Sequence, residues 1–299
     1  VTWKLASLVS WLFVYRPVGC AVRAGIPKVV DALRATLGDG RNVWVLESKY
    51  WDELKPAQRR KHHAAMTDLV GGQPLAPPRS RGDWLEGRDD GVLILAPCAP
   101  DANSDAASVF GAFYTAKLSP LTEPRIDAYA RAISGWNEFD VLATAHHVVS
   151  DGFAALGARV MKTTVPAKGY EANPAVSAPR LVERVAGERG VSPEAATLLL
   201  QTLALPAPTT ANVELWNGWV AKQYDAAARE LIAARLLVTA SVPKAGRKLF
   251  APGQIVKNTK LNLPIEQSKL AWTRHGRFIK HLISEPCDTL FERAYAAQP

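Results

Sequence analysis

The residues most suggestive of chemistry lie in "ATAHHVVSDGF", which spans residues 143–153. Two adjacent histidines, His146 and His147, are followed after three residues by Asp151 and Gly152, which gives the pattern His-His-x-x-x-Asp-Gly. Histidine is the side chain whose ordinary pKa lies closest to neutral pH, so it is the most frequent general acid or base in enzymes. The motif is therefore the first candidate for a catalytic site.

The motif resembles the HHxxxDG signature of acyltransferases of the chloramphenicol acetyltransferase and condensation-domain type. The resemblance implies that His147 is the general base, which removes a proton from an alcohol, amine or thiol before that group attacks a thioester. It gives Asp151 a structural, orienting role, and the glycine leaves room for substrate. The likeness is confined to residues 143–153, and the rest of the chain does not resemble the second lobe that completes the channel in that family.

The hydrophobic pattern around the motif favours a helix instead of the strand end that these acyltransferases need. Apolar residues recur at steps of three and four from Leu142 to Val160, which is the spacing of one helix face. His147 and Asp151 project from the opposite face, so we predict a solvent-exposed His–Asp pair on one helix over residues 138–161. Acyl transfer is kept as the alternative to a role without catalysis.

Composition and charge limit the class of protein and its partners. The chain has 299 residues, of which 48% are hydrophobic, and this is enough for a large core and two domains. Its net charge is +8. The positive charge favours DNA or another polyanion as the partner. The three cysteines are far apart, so neither a disulfide framework nor a metal site is predicted, and a reducing, cytoplasmic location is expected.

Two further features bear on where the protein acts. The longest apolar run, residues 5–15, is shorter than the roughly 20 residues that span a bilayer, so no membrane partner is expected. The first residue is Val1, which is compatible with a piece of a longer protein and with an alternative start codon.

Residues 1–165 are predicted to form a helix-rich α+β domain of unknown role. Glycine and proline are frequent in residues 71–90, which predicts a long loop. No Gly-rich phosphate loop follows either predicted strand, so no nucleotide cofactor is predicted. The predicted helices are 3–15, 27–37, 55–70, 105–117 and 124–134, and the predicted strands are 42–46 and 91–95.

The second half is divided by residues 166–179, a segment with several prolines and a glycine that is predicted to be a linker. Ser192 and Pro193 have the residue types of a helix N-cap and first helical position. A helix over 221–236 then gives way to strands over 237–242 and 247–253, which are joined by a turn. Residues 180–260 are therefore predicted to be one domain, and 261–299 a tail with a helix that packs back on a neighbouring domain.

Three helices followed by a basic hairpin resemble the winged-helix domains of bacterial transcription regulators. The stretch "ARELIAARLLVTASVPKAGRKLF", residues 228–250, carries most of the likeness. The resemblance implies a helix-turn-helix unit whose third helix enters the major groove, and a hairpin that touches the DNA backbone or the minor groove. The sequence thus predicts a mainly α fold with minor β (α+β), made of a helix-rich N-terminal domain and a C-terminal winged helix.

Charge supports a nucleic-acid role for this region. Residues 222–260 contain eight Lys or Arg residues and two acids, Asp225 and Glu230, which gives +6 of the net +8. Neutralisation of phosphates by such residues gives sequence-independent, salt-dependent affinity. The outer face of the third helix has few Asn, Gln, Ser or Thr residues, so little direct base reading is expected. The predicted backbone contacts come from Lys222, Arg229, Lys244, Arg247 and Lys248.

These features together predict a cytoplasmic binding protein without catalysis, metal or cofactor, which contacts DNA through its phosphates. One alternative is an acyltransferase that uses His147 as its base. The other is a protein-docking subunit of a larger assembly, because winged helices also serve as protein-binding modules.

Overall fold

The computed structural model describes residues 2–47, 56–75, 87–96, 110–118, 125–126, 128–129, 136–256, 264–274, 282–283 and 285–298. This part of the chain is mainly α-helical with minor β structure, which confirms the predicted fold class. It divides into two compact units. The first contains residues 3–31 and 151–299, and the second contains residues 32–150.

The helices and strands are numbered in chain order. The helices are α1 (Thr2–Tyr15), α2 (Ile26–Gly38), α3 (Pro56–Val70), α4 (Trp136–Val149), α5 (Asp151–Lys162), α6 (Pro174–Ser177), α7 (Pro179–Arg189), α8 (Pro193–Ala204), α9 (Thr210–Asn217), α10 (Ala221–Ala233) and α11 (Cys287–Ala296). The strands are β1 (Val43–Glu47), β2 (Gln73–Leu75), β3 (Gly87–Asp89), β4 (Leu93–Ala96), β5 (Phe110–Tyr114), β6 (Val238–Thr239), β7 (Leu249–Phe250), β8 (Ile255–Val256), β9 (Ile265–Glu266), β10 (Thr273–Arg274) and β11 (Leu282–Ile283).

The unit of residues 32–150 is built on an antiparallel sheet with strand order β1-β5-β4-β3-β2. The strands predicted at 42–46 and 91–95 are confirmed as β1 and β4. The helix predicted over 105–117 is wrong, because residues 110–114 form β5, an internal strand paired on both sides. Phe110, Phe113 and Tyr114 favour a strand, and the ladders on both sides hold the weaker strand formers Gly111 and Ala112 in the sheet.

The helix predicted over 138–161 is also wrong, because α4 ends at Val149 and α5 begins at Asp151. The Nη1 group of Arg34 donates to the carbonyls of Val149 (2.8 Å) and Ser150 (2.6 Å). The Ser150 hydroxyl donates to the carbonyl of His147 at 2.6 Å. Carbonyls at the end of α4 are therefore satisfied by side chains, and a cation at a helix C-terminus is favourable.

The unit of residues 3–31 and 151–299 is organised around α8. Every residue of α8 from Ala195 to Ala204 is buried, and α7, α10 and α11 pack against this helix. The predicted N-cap is confirmed, since the Ser192 hydroxyl accepts from the amide of Ala195 at 3.2 Å and Pro193 begins the helix. The Ser192 amide in turn donates to Glu230 at 2.6 Å, which ties α10 to the start of α8.

Residues 166–179, predicted to be a linker, lie within the first unit. The side chain of Glu171 is 0% exposed and forms ion pairs with Arg23 and Arg159, each at 3.1 Å. Asn173 caps α6, because its side chain accepts from the amide of Ala175 at 2.9 Å. The unit boundaries therefore differ from the predicted ones at 165 and 180, since Glu171 pairs with residues that precede the segment and the Ala172 carbonyl accepts from Gln201 Nε2 of α8 at 2.8 Å.

A β-hairpin follows α10, as the sequence predicts, although its strands are shorter than predicted. Val238 pairs with Phe250 and Thr239 with Leu249. In its connecting segment, Gly246 has φ +65° and an added Cβ would lie 2.8 Å from the Thr209 side chain. The amide of Thr210 donates to the Gly246 carbonyl at 3.1 Å, so the hairpin is fixed to the start of α9.

The tail packs on the same unit through α11, which contacts α8 and α6. The helix predicted from Pro264 is replaced by β9 and a 3-10 turn over Gln267–Ala271. Within the described residues, no helix has the length and apolar character that crossing a membrane requires.

The end of α10 gives a direct test of backbone strain. Arg235 has φ +58°, and the amides of Arg235 and Leu236 donate to the carbonyls of Ile232 (3.0 Å) and Leu231 (2.9 Å). This is a Schellman motif with arginine at the left-handed position that favours glycine. We expect Arg235→Gly to raise the free energy of unfolding by about 0.5–1 kcal/mol.

The matched control for this test is Arg235→Ala, which removes the same charge and keeps a Cβ. Urea denaturation should show no gain for the alanine variant. Equal stabilisation by both variants would show that the gain comes from loss of the charge, and would contradict the strain account.

Candidate functional site

One wall of the candidate site is the outer face of α10. Tyr224, Ala227, Ala228 and Leu231 are buried on the inner face of this helix. Its outer face carries Lys222, Asp225 and Arg229, which are exposed. The helix start is fixed locally, because the Gln223 side chain accepts from the amide of Val220 at 3.0 Å. The apolar side therefore docks on the core while the charged side stays in solvent.

The second wall is the hairpin of β6 and β7. Thr239, Ser241 and Lys248 are exposed, and the amide of Ala240 donates to the Lys248 carbonyl at 2.9 Å. Lys244 lies in the connecting turn with φ +65°, and is also exposed. The hairpin thus presents hydroxyl groups and ammonium groups to solvent.

The two walls enclose an open cleft of about 980 Å³. Its lining includes Lys222 and Arg229 from α10 and Arg247 and Lys248 from the hairpin, so four of the five predicted contact residues line one cleft. Lys244 is exposed at the turn next to the hairpin strands. A concave surface with cations on both walls attracts anions more strongly than the same charges on a flat surface.

The sequence predicts a surface contact from Arg247, but the structure buries this side chain where it lines the cleft. This residue is 7% exposed, and its Nη2 group donates to Glu266 Oε2 at 2.7 Å. Its guanidinium carbon also lies 4.5 Å from the centre of the Phe250 ring. The adjacent Lys248 is exposed, so these two neighbouring cations differ in their access to solvent.

Arg247 belongs to a buried cluster of two cations and one carboxylate. The Lys269 Nζ lies 3.0 Å from Glu266 Oε2 and donates to the Leu205 carbonyl at 2.7 Å. Burial raises the pKa of Glu266, but the charges of Lys269 and Arg247 outweigh burial and bring it to about 2. Burial lowers the pKa of Lys269 to about 7, against the opposing effect of Glu266. The cluster links the hairpin, the tail and the end of α8.

The exposed His–Asp pair predicted at residues 147 and 151 is wrong. His147 is 3% exposed near the end of α4, whereas Asp151 is exposed as the first residue of α5. Burial, followed by the effect of His146, lowers the pKa of His147 to about 3. A general base works best when its pKa is close to the working pH, so this environment does not favour proton abstraction.

Three exposed polar residues of the cleft were not predicted as contacts from the sequence. Thr239 and Ser241 belong to the predicted strand 237–242, where alternate residues share a face, so the strand period could have identified them. Asp225 was counted only as one of two acids in the basic region. In the described part of the chain, no group of three His, Cys, Asp or Glu side chains has the arrangement of a metal site.

Comparison of the chain with models of protein families, with curated proteins and with solved structures gives no match. The geometry and charge of the cleft are therefore the basis for a functional assignment.

Replacing the buried carboxylate of Glu266 by an uncharged side chain is expected to lower the free energy of unfolding strongly. Glu266→Gln leaves Arg247 and Lys269 buried without their shared carboxylate, so we expect a loss of about 3–5 kcal/mol in the free energy of unfolding at pH 7. The carboxylate is stabilising above its unfolded pKa of 4.5, so the difference from wild type should shrink as the pH falls from 4.5 toward 2. Urea denaturation across this pH range measures both effects.

The control is Glu292→Gln, which removes a carboxylate that pairs with Arg184 on the surface. Both side chains of that pair are about half exposed, so the loss should be below about 1 kcal/mol. Equal small losses for the two variants would contradict the role of Glu266 as the centre of a buried cluster.

Proposed function

We propose that this protein is a cytoplasmic, non-catalytic DNA-binding protein that holds a sugar–phosphate backbone in the cleft between α10 and the β6–β7 hairpin. The observation that carries the proposal is the presence of Lys222, Arg229 and Lys248 on both walls of one cleft. The proposed location is supported by Cys20 and Cys287, which are free thiols in the described part of the chain.

The order of elements supports a winged-helix arrangement. Helices α8, α9 and α10 are followed directly by the hairpin. In the winged-helix family, the third helix enters the major groove and the hairpin contacts the backbone or the minor groove. In this proposal α10 is the groove helix and the β6–β7 hairpin is the wing.

The surface charge of this unit supports phosphate contacts. Within the described residues from 220 to 256, Asp225 is the exposed acid, while Glu230 is bonded to Ser192 at the start of α8. Arg247 lines the cleft but is 7% exposed and shares the Glu266 carboxylate with Lys269, so it adds little exposed charge. The exposed cations of this segment are Lys222, Arg229, Arg235, Lys244 and Lys248.

The spacing of the helix cations suits an extended anion. Lys222 and Arg229 are seven residues apart, which is about 10 Å along a helix axis on nearly the same side. Ala226, which is exposed between them, and the exposed hydroxyl groups of Thr239 and Ser241 permit close approach and further hydrogen bonds. The cleft therefore supplies ionic contacts from α10 and neutral donors from the hairpin.

The proposal predicts the salt dependence of DNA binding. The triple variant Lys222→Ala, Arg229→Ala, Lys248→Ala should weaken binding to a random duplex by about 2 kcal/mol, roughly thirtyfold in Kd, at moderate salt. Loss of three phosphate contacts should also reduce the slope of log Kd against log salt by about 2.7. Fluorescence anisotropy at four or five salt concentrations measures both quantities.

A matched control removes three exposed cations of the same unit that lie outside the cleft, through Lys28→Ala, Lys162→Ala and Arg180→Ala. This variant has the same net charge as the triple cleft variant and should keep most of the affinity and slope. An equal loss in both variants would show that net charge, and not the cleft, accounts for binding.

A further inference from the structure

Asp225 places a carboxylate inside a cleft whose other charged lining residues are all cations. It is exposed on α10, three residues after Lys222 and four residues before Arg229, and it lines the cleft together with Lys248. A carboxylate in this position repels phosphate oxygens, so it weakens the backbone contacts that the proposed function requires.

In the part of the chain that the structure describes, the carboxylate of Asp225 has no ion-pair or hydrogen-bond partner. Asp and Arg four residues apart on a helix are well placed for an ion pair. Here the Nε group of Arg229 donates instead to the main-chain carbonyl of Asp225, at 3.3 Å. Among the described residues, no cation lies within ion-pair distance of the Asp225 side chain. The carboxylate is therefore open to a hydrogen-bond donor from outside.

The chemistry of DNA limits what that donor is. An ionised carboxylate only accepts hydrogen bonds, and phosphate oxygens also only accept. In the major groove, the donors are the exocyclic amino groups at N4 of cytosine and N6 of adenine. Ala226, the exposed residue next to Asp225, has a small side chain that does not block a base edge.

We propose that Asp225 accepts a hydrogen bond from the exocyclic amino group of a base in the major groove, and so gives the protein a base preference. This inference rests on the proposed DNA-binding function and assigns the specificity-determining residue of the same site. Lys222, Arg229 and Lys248 hold the backbone, while the carboxylate favours the base pair whose amino group lies within its reach, because cytosine N4 and adenine N6 occupy different positions across the major groove.

The test compares the wild type with Asp225→Ala on two duplexes of equal length, one with only G·C pairs and one with only A·T pairs, at fixed salt. We expect the wild type to prefer one duplex by about tenfold. The variant should lose most of that preference and bind the disfavoured duplex more tightly, because a negative charge has left the cleft. Preference for G·C assigns cytosine N4 as the donor, and preference for A·T assigns adenine N6.

The control is Glu183→Ala, which removes an exposed carboxylate of the same unit outside the cleft and should leave the ratio of the two affinities unchanged. An equal change on both duplexes for Asp225→Ala would show that this residue acts only through its charge, and would overturn the inference while DNA binding stands. Failure of the wild type to bind either duplex at low salt would overturn the proposed function itself.

Discussion

The shape of the cleft depends on one buried carboxylate. Glu266 holds Arg247 of the hairpin and Lys269 of the tail, and Lys269 reaches the Leu205 carbonyl at the end of α8. Arg247 is held inward by this carboxylate, while its neighbour Lys248 is exposed and lines the cleft beside α10. The ionic cluster thus fixes the part of the hairpin that carries Lys248 to the core of the unit.

Local signals in the sequence were sufficient for many elements. Ser192 and Pro193 mark the start of α8, and the change from helical to alternating pattern after residue 236 marks the hairpin. Elements that depend on distant partners were missed. Residues 110–114 become a strand because β1 and β4 pair with both of their edges, and nothing within that segment specifies this pairing.

The candidate site was predictable only where it depends on local sequence and not on distant partners. Counting charges found the basic region, but it treated Arg247 as a surface residue, because its partner Glu266 is 19 residues away in sequence. Likewise, the helical period at residues 142–160 did not reveal that Arg34 takes the carbonyls at the end of α4. In both cases a side chain remote in sequence decides which groups are buried and where a helix ends.

The central claim is that the cleft between α10 and the hairpin binds a polyanion, and lysine footprinting tests it most directly. Acylation of surface lysines, read by mass spectrometry with and without a short DNA duplex, compares Lys222 and Lys248 in the cleft with exposed Lys28 and Lys162 outside it. The account predicts that DNA protects Lys222 and Lys248 selectively. Equal protection of all four lysines, or protection of Lys28 and Lys162 alone, would contradict it.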